Sequence, residues 1–214
     1  MYNITLICTV HKRNGKCNSR KLRKIIEEFN PEVIFEELSP AVYDECYGIK
    51  NRPTLETRAI KKYLRKHIIK HIPVVGTELD IESMLKIMEQ EKNTDYQKLI
   101  ANLTSSENKY GFQFLNSKQC EDLCEKMRML ERKILRDGDD VVWARIYQRN
   151  REAIETYENT IIKNIYAYSE ENKYNNALMF IGAAHRRSII QKIQEYQKNE
   201  KIELNWTFYG KSEL

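Results

Sequence analysis

The chain has 214 residues, 41% of them apolar and 31% charged, and a formal charge of +5. That length suits one domain with a sizeable core, or one domain carrying an insertion, and no segment approaches the roughly 18 consecutive apolar residues of a membrane span. Five cysteines, an odd number without C-x-x-C spacing, argue against a disulfide framework and for reduced thiols in a cytoplasmic protein.

The first residues, M-Y-N-I-T-L-I-C, carry no basic segment ahead of their apolar run, and residues 3–10 read as a strand and not as a signal peptide. Asn18 and Ser19 cap a helix through Asn30, ended by Pro31, and residues 32–38 form a second strand. Residues 54–72 predict a strongly basic helix, residues 73–79 a third strand, and Asp80 a cap for the segment after it. From about residue 81 to 173 the strand signal disappears. Cys120, Leu123, Met127, Leu130 and Ile134 recur at heptad-like spacing and predict a long helix; Gly138 stops it, and Asp139 or Asp140 starts another to about Tyr168. This helical hairpin should pack as two antiparallel helices whose outer faces could support a homodimer. Residues 177–181 return as a strand, a helix comes next, and residues 202–209 end the pattern as a last strand. The expectation is a single α/β domain over 1–214, a mainly parallel sheet flanked by helices, with a long helical-hairpin insertion at about 81–173.

Parallel α/β sheets bind ligands outside the carboxyl ends of their strands. His11 closes the first predicted strand, Glu36 and Glu37 the second, and His185 comes after the fourth through Gly182. Two imidazoles and two carboxylates on one edge can hold a divalent metal such as manganese, cobalt or zinc, with His11, Glu37 and His185 as ligands. They can equally divide general-base and general-acid roles around a water. A helix start at His185 favours the neutral imidazole that either role needs, and Gly182 allows a tight turn. The competing reading makes each of these a hydrogen-bonded structural residue.

Each of these histidines precedes a basic pair, Lys12-Arg13 and Arg186-Arg187. Cations in a first helical turn oppose the macrodipole by about 0.3–1 kcal/mol each, which an anion docked against Arg186 and Arg187 would offset. Lys12-Arg13 also reads as solvated surface. On the helix after Asp140, the residues Val142, Ile146, Ala153, Tyr157 and Ile161 line one face, with Arg149 and Asn150 between them. An arginine on an apolar stripe requires a carboxylate or a bound anion: either a structural ion pair, or a charge aimed at the site acids and substrate oxygens.

The order strand-His, Glu-Glu-Leu, Arg-Asn on a helix, then Gly-Ala-Ala-His resembles the TraB/Tiki and erythromycin-esterase/ChaN-like superfamily. Gly182–His185 matches its second G-x-x-H motif, Glu37-Leu38 its acidic motif (with Glu36 as the alternative), and Arg149-Asn150 its arginine motif. The first motif departs, reading Cys8-Thr9-Val10-His11 with cysteine in the glycine position. The resemblance implies hydrolysis, of peptide bonds with a metal in some members and of esters in others, while some members have no established activity. On that reading His11, Glu36, Glu37, Arg149 and His185 are catalytic, Arg149 stabilising developing negative charge, and Lys12, Asn150, Arg186 and Arg187 bind a small-molecule or peptide substrate of anionic character.

Two other functions compete: a non-enzymatic module that binds an anion or nucleic acid through Lys12, Arg186 and Arg187, and a helical-hairpin interaction protein whose site has decayed, which Cys8 favours. The basic stretches 20–24 and 61–70 carry acids among neighbouring residues, so ordinary surface is favoured over nucleic-acid binding. His67 and His71 share a face of the predicted basic helix without a third ligand and read as solvated, and Cys120 and Cys124 read as core.

Overall fold

A computed structural model describes residues 2–50, 52–79, 86–88, 93–136, 140–200 and 202–210. Its centre is a five-stranded sheet, every neighbouring pair parallel, built from β1 (Tyr2–Thr9), β2 (Val33–Glu36), β3 (Lys70–Pro73), β4 (Asn176–Gly182) and β5 (Leu204–Phe208) in the order β3-β2-β4-β1-β5. β1 and β4 are largely apolar because both their faces are covered, and Ile4, Leu6, Ile7, Phe180 and Ile181 are at most 1% exposed. The chain leaves these two adjacent strands in opposite directions, toward β2 and toward β5, so the crevice at their carboxyl ends is where an open α/β sheet accepts a ligand.

The helix α1 (Ser19–Phe29) begins where expected: the Asn18 side chain accepts the Lys21 amide, and Asn30 closes the helix in the left-handed conformation at φ 45°. Two short helices come next, α2 (Pro40–Tyr47) and α3 (Leu55–Tyr63). The predicted basic helix is cut short at Tyr63, and β3 begins at Lys70 instead of Pro73. The cause is the edge register: Val33 through Glu36 of β2 pair with Lys70 through Pro73, and a polar K-H-I-P segment is tolerated on an edge where a proline ends the ladder. His71 is therefore on a strand and largely buried, not on a solvated helix face.

The insertion comprises α4 (Thr94–Tyr110), α5 (Phe112–Leu115), α6 (Lys118–Glu131), a π-helical turn at Arg132–Arg136, and α7 (Val141–Glu171). The proposed cap Asp80 and the helix boundary at Gly138 and Asp139 fall outside the described residues; Asp140 caps α7, accepting the amides of Val142 and Trp143. The two long helices do not zip together along their length. α7 meets the Arg132–Arg136 turn, while α6 packs on α4 and α7 packs on α8 (Arg186–Asn199), which leaves a cleft between the hairpin arms and the sheet edge.

The inward face of α7 is also rotated from the one predicted. Tyr147, Asn150, Glu158, Ile161, Ile162 and Ile165 are buried, whereas Val142, Arg149 and Ala153 are exposed. This 31-residue helix serves two environments. Its first half packs Tyr147 into a small cluster with Leu135 and Tyr96, and its second half covers the sheet. A single 3.6-residue stripe cannot describe both.

The side chain of Asn116 joins the insertion directly to the β1 backbone. Past the last β1–β5 pair, Leu6 with Phe208, the side chain of Asn116 takes the place of a further strand residue: its Oδ1 accepts the Cys8 amide at 2.7 Å and its Nδ2 donates to the Cys8 carbonyl at 3.0 Å. Among the described residues no helix is long and apolar enough to cross a membrane. All five cysteines are buried and unpaired.

Candidate functional site

The cleft above the carboxyl edge has a volume of about 660 Å³ and is lined by His11 after β1, Glu37 after β2, Glu78 after β3 and His185 after β4. The hairpin arms supply Arg128 from α6 and Arg151, Tyr157 and Glu158 from α7, and Met127, Tyr147 and Ile154 add apolar wall. The sequence-predicted trio of His11, Glu37 and His185 is thus brought to one space.

His185 is the best-held of the three. Its Nδ1 lies 2.7 Å from Glu158 Oε1, and its Nε2 lies 3.8 Å from Glu37 Oε1. Glu158 is 1% exposed and also accepts from Ser188 Oγ at 2.6 Å. Burial drives the His185 imidazole toward the neutral form, but the hydrogen bond it donates to Glu158 and the charges of Glu37 and Glu158 outweigh it, and its pKa is raised. The shift runs opposite to the lowering expected of a helix start, because two carboxylates stand within 4 Å. Glu37 is fixed in turn by the Gly182 amide on Oε2 at 2.5 Å and the Tyr157 hydroxyl on Oε1 at 3.0 Å. Burial and the Glu37 charge push the Tyr157 phenol far up, so it remains a donor.

Gly182 itself needs no glycine conformation, since its φ is −56°. A Cβ there would sit 3.5 Å from Glu37 Oε2 and 3.6 Å from the His185 ring, ordinary contact distances. The tight-turn explanation fails; what the position contributes is its N–H. Cys8, in the glycine position of the first motif, is likewise a strand residue at 0% exposure rather than a turn residue.

His11 pairs with Glu56, Nδ1 to Oε1 at 3.2 Å, and Thr9 Oγ1 donates to the same oxygen at 2.8 Å. The Glu56 hydrogen bond raises the His11 imidazole to about 9. Burial pushes the Glu56 carboxyl up, but His11 outweighs it and the carboxyl ends below its usual range. A histidine raised on folding adds stability that is complete below its unfolded value near 6.5 and disappears as pH rises through about 9. Because the His11 side chain is 55% exposed, solvent screens the pair and its worth is about 0.5–1 kcal/mol. His11→Gln is therefore expected to lower the melting temperature by about 1–4 °C below pH 6.5 and to match the parent above pH 9. An equal deficit at both ends of that range would assign the loss to packing instead.

The remaining predicted residues are placed differently. Glu36, one residue before Glu37, points to the opposite face of β2, where it is 2% exposed and bonded to His71 Nδ1 at 2.8 Å and the Tyr47 hydroxyl at 2.7 Å. Arg149 is exposed and does not line the cleft, because α7 presents its neighbours inward; Asn150 is buried. Lys12 lines a separate groove on the other side of His11. Arg186 is 1% exposed and structural: it bonds Glu121 Oε1 at 2.9 Å, Asn116 Oδ1 at 3.2 Å, and the Tyr209 carbonyl at 3.3 Å. Only Arg187 of that pair reaches the cleft, 3.5 Å from Glu125 Oε2.

Residues not singled out from sequence include Glu56, Glu78, Glu158, Arg128 and Arg151, and the sequence marks Tyr157 only as part of an apolar stripe. Glu158 had a signal: an acid on the same stripe as Ile161, Ile162 and Ile165 is buried and requires a partner. Glu56, two residues after the Thr54 cap of α3, looks like an ordinary first-turn acid.

As metal ligands, His11, Glu37 and His185 fit poorly. Each imidazole already gives Nδ1 to a carboxylate and is held toward its protonated form. Among the described residues no group of three His, Cys, Asp or Glu side chains is disposed to hold an ion. Compared with protein-family models, curated proteins and solved structures, the chain matches none of them.

Proposed function

We propose that the cleft is the active site of a hydrolase acting on a peptide or ester bond. The observation that carries this reading is the clamped imidazole: His185 stands between Glu158 on Nδ1 and Glu37 facing Nε2, inside a cleft of about 660 Å³. At 3.8 Å, Nε2 and Glu37 Oε1 are too far apart to bond directly, and a water or a substrate oxygen beside them can reach both. Glu37 then takes a proton from the attacking water, and the His185 imidazolium gives its Nε2 proton to the leaving group, recharged from the water-derived proton after each turnover. Glu158 fixes the ring and favours its cationic form. Arg128, Arg151 and Arg187, on the cleft wall, stand where the negative charge of a tetrahedral intermediate or an anionic substrate group would be stabilised. The TraB/Tiki and erythromycin-esterase-like resemblance of the strand-end motifs supports the same reaction class.

The test is a panel of chromogenic esters and fluorogenic peptides, with Glu37→Gln as the paired variant. Removing a general base lowers turnover by about 10²–10⁴-fold. Equal rates from parent and variant across the whole panel would reject the assignment.

A further inference from the structure

A second concavity of about 660 Å³ lies on the other side of His11, between the start of α1 and the exposed side of α3. Lys12, Arg13, Arg20, Lys21, Arg58 and Lys62 line it, and no carboxylate does. None of the six makes an ion pair or a side-chain hydrogen bond with a described residue. Elsewhere the surface cations of this chain commonly find an acid, as in Arg23–Glu27, Lys50–Glu45, Lys98–Asp95 and Lys118–Asp122. Arg20 and Lys21 also stand in the first turn of α1, with no acid beside them, against the macrodipole. Asn18 satisfies the Lys21 amide, and the amides of Ser19 and Arg20 have no intrahelical acceptor.

Like charges gathered on one groove repel one another, and the two first-turn cations of α1 also oppose the macrodipole. A multiply charged anion reverses the sign of both effects. The packing of α1 against α3 holds the two sides of the groove in a fixed relation before any ligand arrives. The volume is that of a small-molecule site, about 300–1,000 Å³. Its walls offer no phenylalanine, tyrosine or tryptophan on which a base could stack, which disfavours single-stranded nucleic acid.

We propose that this groove binds a small, multiply phosphorylated molecule, its phosphates set against the α1 N-terminus and between Arg58 and Lys62 of α3 and the Lys12-Arg13 segment. Binding there is independent of the hydrolytic reading of the cleft and would survive its failure.

Calorimetric titration of the full chain with inorganic triphosphate tests it. The expected result is one saturable site per chain that weakens as salt is raised. Arg58→Gln combined with Lys62→Gln should lower the affinity by about tenfold or more, while Arg151→Gln and His185→Gln, both in the cleft, leave it unchanged. The replaced side chains are exposed, so circular dichroism should show an unaltered fold; were the first pair to misfold, Lys12→Gln with Arg13→Gln provides the same comparison. Failure of triphosphate to saturate, equal weakening by the cleft variants, or tighter binding of a mixed-sequence oligonucleotide than of triphosphate would each overturn the proposal.

Discussion

Arg186→Met is expected to lower stability by about 3–5 kcal/mol, which for a chain of this size is a fall of about 6–20 °C in melting temperature. The arginine is 1% exposed and its guanidinium bonds three separate partners: Glu121 of α6, Asn116 before it, and the carbonyl of Tyr209 after β5. Methionine refills much of the volume, so the loss measures the groups left behind. Among the described residues Glu121 would keep only a distant Lys118 at 3.7 Å, and Tyr209 would lose the guanidinium donor on its carbonyl. Arg186→Lys should recover only part of the loss, because one ammonium cannot reproduce the planar fork. The adjacent Arg187→Met, at an arginine whose side chain is 47% exposed, should stay within about 0.5 kcal/mol of the parent. Thermal denaturation of the three variants decides the matter. A melting point for Arg186→Met within about 2 °C of the parent would show that the ion pair contributes little beyond what an apolar side chain supplies.

The second large effect concerns Glu158, a positioning residue acting through His185. Glu158→Gln removes the carboxylate that does most to raise the imidazole's proton affinity, leaving the Glu37 charge alone to oppose burial and the Arg128 charge. If His185 serves as the general acid, it works below its pKa, so the alkaline limb of the pH–rate profile should move to lower pH. The rate at its maximum should fall by about 10²–10⁴-fold. A purely structural role for Glu158 would lower the amount of folded protein without moving that limb. The profile, normalised to folded protein, therefore separates the two, and an unmoved limb would remove Glu158 from the mechanism.

The strands that carry the site were legible because a parallel strand buried on both faces leaves a continuous apolar signature, and the residue after it is placed by the strand alone. This is why His11, Glu37 and His185 could be placed at one edge. Less could be read where geometry depends on a partner far along the chain. Glu36 and Glu37 both end a strand, and the two-residue period says they face opposite ways without saying which way is the cleft. Arg186 and Arg187 are consecutive on a helix, roughly 100° apart, so one goes inward. The acid that selects Arg186 is Glu121, 65 residues earlier, and no local pattern announces it. Arg149 fails for a related reason: α7 changes neighbours part-way along, and its inward face in the first half is set by Leu135 and Tyr96 rather than by the sheet. The β3 register is fixed by pairing with β2, which overrides the helical propensity of a lysine-rich segment.

The Asn116 clamp has a mechanical consequence. One side chain hangs the foot of α6 from the backbone of β1, three residues from His11, and Arg186 locks that joint from behind. The lower end of this wall is therefore anchored to the same rigid slab that carries the histidines. At its upper end α6 runs into the π-helical Arg132–Arg136 turn, whose backbone bonds are the less regular kind. The two ends of the wall thus differ in kind: one is bonded to the central sheet, the other continues into an irregular turn. Amide exchange should report this asymmetry directly, slowest at Cys8 and faster toward Arg132.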